Sequence, residues 1–107
     1  MTNDETLGGY VRTHNCPPAF MGPDGASYSA EAFVDDDLEG EQRYGAAVLF
    51  IRWSADGSRP AGHLETGYLA HGETAKVARS VIDRLTLYDL KEHLDRLVEE
   101  SKGRSGW

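Results

Sequence analysis

The sequence predicts an α+β domain: a three-stranded antiparallel β-meander, two C-terminal helices packed on one face of it, and an extended N-terminal arm. Two observations carry this. Residues 46–53, Ala-Ala-Val-Leu-Phe-Ile-Arg-Trp, are apolar on both faces of an extended chain, the mark of a central strand covered on one side and partly on the other. After His71-Gly72 the apolar period lengthens from that of a strand to that of a helix, with Val77, Ala78, Val81, Ile82 and Leu85 on one side.

Each element has its own signal. Residues 1–9 are polar and contain Gly8-Gly9, so they read as a tail, and residues 10–13 as a short extended piece. Pro17-Pro18 forbids helix and strand interiors and holds Cys16 extended. Gly22-Pro23-Asp24-Gly25 is a turn. Residues 28–34 alternate as a first strand, with Tyr28, Ala30, Ala32 and Val34 on one face and Ser29, Glu31 and Phe33 on the other. The polar residues 35–43 connect it to the central strand, and Asp56-Gly57 with Pro60 marks a second turn. Residues 63–70 form a third strand, in which Gly67 marks a bulge or a close backbone approach.

Two helices follow. Thr74 is the N-cap of the first, predicted over 74–85. Thr86 with Asp89 resembles a capping box, and Leu85 with Leu90 a hydrophobic staple, so a second helix is predicted over 87–101. Leu87, Leu90, Leu94, Leu97 and Val98 are its apolar stripe. The domain therefore spans 28–102, preceded by a tail and proline-containing arm over 1–27 and followed by a tail over 103–107.

Charge and cysteine content narrow the function classes. The formal net charge is −7, and all of it lies in residues 1–45, which carry nine acids against two bases. An acidic chain without a basic tract predicts no nucleic-acid partner, because phosphate contacts need clustered Lys and Arg. No apolar run reaches the ~20 residues of a membrane span, so no membrane partner is predicted. One cysteine excludes an internal disulfide and fits a reducing compartment, and the acidic N-terminal residues resemble no targeting peptide, so a cytoplasmic location is expected.

The residues able to do chemistry are sparse. His14 and Cys16 lie two positions apart and, with His63 and His71, could supply metal ligands; structural zinc sites, however, draw on paired ligands from both sides. The plainer reading of Cys16 is a small packed side chain. A catalytic Cys–His pair needs a depressed thiol pKa, for which prolines at 17 and 18 offer no helix N-terminus. Asp35, Asp36 and Asp37 lack the alternating spacing of a calcium loop. His63 and Glu65 share a strand face and read as a solvent-side pair. Neither a phosphate-binding glycine loop nor a serine elbow occurs. No enzyme activity and no cofactor is therefore predicted, a small metal- or thiol-dependent enzyme being the least favoured alternative.

A two-helix layer covers one face of a three-stranded sheet and leaves the other to be covered by something else. Trp53 is expected against the helices, with Leu49 and Ile51, while Val48 and Phe50 are left on the uncovered face. The expectation is a non-catalytic accessory or assembly subunit that binds a protein partner, or a second copy of itself, through that apolar face and the arm. Pro17, Pro18, Phe20, Met21, Val48, Phe50 and Trp107 are the candidate contact residues.

The order of three strands and a helix, with Gly72-Glu73-Thr74 opening the helix, resembles over residues 46–85 the small α+β domain of HicB-type antitoxins. That resemblance implies an alternative, an inhibitor whose acidic part masks a basic protein. The acidic 35–43 connection and the proline arm depart from the pattern, and no C-terminal DNA-binding segment follows the helices.

Overall fold

The structure, a computed structural model, describes residues 5–36 and 43–102. It is an α+β fold. Among the described residues eight elements follow in the order α1 (Leu7–His14), β1 (Ala19–Met21), β2 (Ser27–Asp35), β3 (Tyr44–Trp53), β4 (Pro60–Glu65), β5 (Ala70–Gly72), α2 (Ala75–Asp83) and α3 (Leu87–Lys102). All strand pairs are antiparallel, in the order β1-β2-β3-β4, with β5 pairing the start of β3. The central strand predicted over 46–53 is β3, and it is the partner of three other strands.

The two turns are built as their residues dictate. Gly25, at φ 83°, closes the β1–β2 turn, and the Gly25 amide donates to the Gly22 carbonyl. In the β3–β4 turn the Asp56 carboxylate accepts from the Ser54 hydroxyl and from the Ser58 hydroxyl and amide, which pull its pKa down to about 2.

The third predicted strand is split. Thr66 leaves the ladder after β4: its amide donates to the Val48 carbonyl, and its hydroxyl, not its carbonyl, accepts the Val48 amide at 3.0 Å. Gly67 and Tyr68 leave the ladder, and the Leu69 amide returns to the Ala46 carbonyl. The interruption thus falls at the glycine that marked it. A buried threonine hydroxyl satisfies the amide that the missing ladder rung would otherwise leave without a partner.

The N-terminal region differs from its prediction. Leu7–His14 is a helix, not a tail and an extended piece. Thr6 caps it, accepting the Gly9 amide, and Leu7 is 2% exposed. What outweighs the helix-breaking tendency of Gly8-Gly9 is packing: Gly8 lies so close to α2 that a Cβ there would stand 3.0 Å from the Asp83 Cβ. The Leu7 amide donates to the Leu85 carbonyl and the Leu87 amide to the Glu5 carbonyl, so Thr6 and Thr86 pair across the α2–α3 junction. The end of the proline arm, β1, lies along β2 as an additional strand.

The capping box at that junction is complete. The Thr86 hydroxyl accepts the Asp89 amide and the Asp89 carboxylate accepts the Thr86 amide, each at 3.0 Å. The core lies between the helices and one sheet face, with Phe50, Val48 and Ala46 meeting Ala78, Ile82, Leu90, Leu94 and Val98. Gly72 lets β5 approach α2: a Cβ there would fall 2.9 Å from the Ala78 backbone nitrogen. No described helix is long and apolar enough to cross a membrane.

Candidate functional site: the open face of the sheet

The two faces of β3 are assigned the opposite way to the prediction. Val48 and Phe50 are fully buried under the helices, and Leu49, Ile51 and Trp53 lie on the face the helices leave open. Register explains this. Ala30 and Ala32 stand opposite Phe50 and Val48, small side chains that let helices approach. Leu49 stands between Glu31 on β2 and Glu65 on β4, and carboxylates placed there keep that face toward water. β3 alone, apolar on both sides, does not discriminate; its neighbours do.

The open face carries a strip of apolar side chains. Leu49, Ile51 and Trp53 are half-buried and Phe33 is 39% exposed. Trp53 lies over this face, not against the helices, and its indole nitrogen donates to the Ser29 hydroxyl at 3.0 Å. Phe33, Leu49, Ile51, Pro60 and His63 line a shallow depression of about 500 Å³. Met21, 67% exposed, stands on the same face, because it pairs with Ser27 in the odd-numbered register of β2.

The charge on this face is one-sided. Its strand residues include Glu31, Asp35 and Glu65, with the histidines His63 and His71. The one Arg or Lys in the described strands, Arg52, points the other way, where its Nε lies 3.7 Å from an Asp24 carboxylate oxygen. Asp35 accepts a hydrogen bond from the Tyr68 hydroxyl. The face is an apolar strip edged by acids.

The predicted contact residues scatter. Val48 and Phe50 are core residues and unavailable to a partner, a correction that follows from the register above. Pro18 is fully buried and Phe20 packs against the core, so the arm turns these two inward. Pro17 is half-buried, and Met21 is the predicted contact residue of the arm that stays exposed. Trp107 lies outside the described residues. Sequence reasoning missed Leu49, Ile51 and Trp53 as surface residues. The signal was present in the alternation of Glu31 and Phe33 on β2 and of His63 and Glu65 on β4.

The candidate metal ligands are also dispersed. His14 ends α1, its ring 4.1 Å from that of Tyr10 between centroids, and Cys16 is exposed beyond it. His63 lies on β4 and His71 on β5, whose ring meets Tyr68 edge-on. Among the described residues no three His, Cys, Asp or Glu side chains converge as metal ligands would.

A second polar feature lies at the other side of the sheet. The Tyr28 hydroxyl donates to Asp24 at 2.9 Å, and Arg52 faces the same carboxylate in a cleft of about 570 Å³ beside Val98 and Lys102 of α3. Burial raises the Asp24 pKa, but the Ala26 amide, the Tyr28 hydroxyl and the Arg52 charge outweigh it and hold the carboxyl below its ordinary value. Burial first, then the hydrogen bond to Asp24, pushes the Tyr28 phenol above its own. Compared with protein families, curated proteins and solved structures, the chain matches none of them.

Proposed function

We propose that the chain is a protein-binding module that docks through the open face of its sheet, and that the partner presents an apolar ridge flanked by Lys or Arg. The observation that carries this reading is the half-exposed strip of Phe33, Leu49, Ile51 and Trp53 on a face with no helix over it among the described residues. Charge selects the occupant. Glu31 and Glu65 flank Leu49, so a basic-edged partner gains at both sides. A second copy stacked face to face brings the same carboxylates together and is disfavoured. The non-catalytic character of the module is part of the proposal.

The test substitutes Leu49→Lys, which adds a cation between two acids and leaves the core untouched. Val77→Lys, on the exposed side of α2 (51% exposed), serves as the control. Tagged versions of all three proteins are used to capture partners from the native host, and each is sized in solution. A partner held by the parent and by Val77→Lys but lost by Leu49→Lys supports the reading. Capture that is insensitive to Leu49→Lys overturns it, as does a parent dimer that Leu49→Lys dissociates, which would make a second copy the occupant.

A further inference from the structure

We propose that the partner enters as a β-strand along the outer edge of β2 at residues 31–35, end to end with β1, and that this strand carries Lys or Arg opposite Glu31 and Asp35. This deepens the docking reading above and rests on it.

The edge is defined by one hydrogen bond. The Ala30 amide donates to the Pro18 carbonyl at 3.0 Å, so the even-numbered residues of β2 turn their backbone groups away from β3. β1 takes up that side beside Ser27, Tyr28 and Ser29, and the chain before it leaves at Pro17-Pro18. Beyond Ala30, the N–H and C=O of Ala32 and Val34 point outward, and no strand among the described residues pairs with them. The vacant length is five residues, about 17 Å at the usual strand rise. Room exists beside it: Val11, Arg12, Pro17, Glu31, Ala32 and Arg79 border a groove of about 410 Å³ between α1 and the β2 edge, where Arg79 is paired with Asp83. An exposed edge of this kind is a template for strand addition.

Side chains then choose among strands. On the open face this edge reads Glu31, Phe33, Asp35 at alternate positions. Antiparallel pairing of two copies about Phe33 would set Glu31 against the second copy's Asp35 twice, and directly opposed like charges destabilise a sheet. A strand reading basic, apolar, basic at alternate positions meets the Glu31 carboxylate, the Phe33 ring and, at its third position, the Asp35 carboxylate that already accepts the Tyr68 hydroxyl. Phe33 also lines the depression on the open face, so the added strand widens the docking surface and does not compete with it.

The probe is a capped peptide, Thr-Lys-Thr-Val-Thr-Lys-Thr, with two controls: the same peptide with Glu for Lys, and the Lys peptide N-methylated at its alternate ladder-forming amides. Amide exchange and chemical shifts are followed by NMR on the full chain. The expected result is exchange slowed about tenfold or more at Ala32 and Val34 with the Lys peptide, weakened by salt, and absent with both controls. Ala32→Pro, which removes an outward-facing N–H and spares the ladder to β3, should abolish it. Equal binding of the N-methylated peptide, with shifts at Leu49 and Ile51 but no protection at the edge, overturns strand addition and leaves face docking standing. Protection at Ala32 and Val34 that grows with protein concentration alone assigns the edge to a second copy and overturns the basic-strand proposal. No response to any peptide also overturns it, while the Leu49→Lys comparison decides the docking reading independently.

Discussion

At the scale of single residues, position in the register outweighs residue type. Val48 and Leu49 are neighbours of similar hydrophobicity, yet one is sealed in the core and the other lies half-open between two glutamates. The Asp24–Tyr28 hydrogen bond shows the same dependence on place, and it yields a pH prediction. Asp24 has a folded-state pKa below its ordinary value of 3.8, so its contribution to stability is present above about pH 4 and is lost as the pH falls through the lower, folded value. Tyr28→Phe removes one of the groups that hold it down. Urea unfolding should show the variant less stable than the parent by about 1 kcal/mol near pH 7, with the gap narrowing as the pH drops below 4. The phenol obeys the opposite sign: its raised pKa makes the neutral form the stabilised one, so the same bond is lost as the pH rises beyond 10. A gap that stays constant from pH 7 to pH 3 would detach Asp24 from this hydrogen bond.

At the scale of elements, the long periodic segments were legible and the short ones were not. The helices predicted over 74–85 and 87–101 are α2 and α3, because caps and apolar spacing agree within each. The strands predicted over 28–34 and 46–53 are β2 and β3. Helix α1 was not legible: two glycines and few apolar residues give it little helical tendency, and it exists because Leu7 reaches the core and Thr6 pairs with Thr86. The open face was misread for a related reason. β3 by itself is apolar on both sides, and the choice of face resides in Ala30, Ala32, Glu31 and Glu65 on the strands beside it. Thr86 is where the helical elements meet, so its substitution tests them together. Thr86→Ala removes the oxygen that accepts the Asp89 amide and should lower stability by about 1 kcal/mol, read as a shift of the thermal midpoint. Thr86→Ser keeps that acceptor and should recover most of the loss.

At the scale of the whole molecule, the question is which residues belong to the cooperative unit. The domain read from sequence began at residue 28, but Leu7 shares the core with Ile82 and Leu90, and β1 extends the sheet. Leu7→Ala should therefore cost about 2–4 kcal/mol. Tryptophan fluorescence and far-UV dichroism from the helices should shift together, since both report one two-state transition. A loss confined to α1, with the sheet unfolding at its parental midpoint, would return residues 7–14 to the status of an appendage. Phe33→Ser, by contrast, alters a side chain already partly in water, so its effect belongs to recognition more than to folding.

The pairing of Thr6 with Thr86 has a consequence for synthesis as well. Nearly the whole domain separates these two residues in the chain, so α1 emerges from the ribosome long before the junction between α2 and α3 exists to receive it. During that interval Leu7 has no core, and the glycine-rich segment behind it has no reason to hold a helix. The earliest described element to be translated is thus among the last able to dock, and the completion of the fold waits on the final helices.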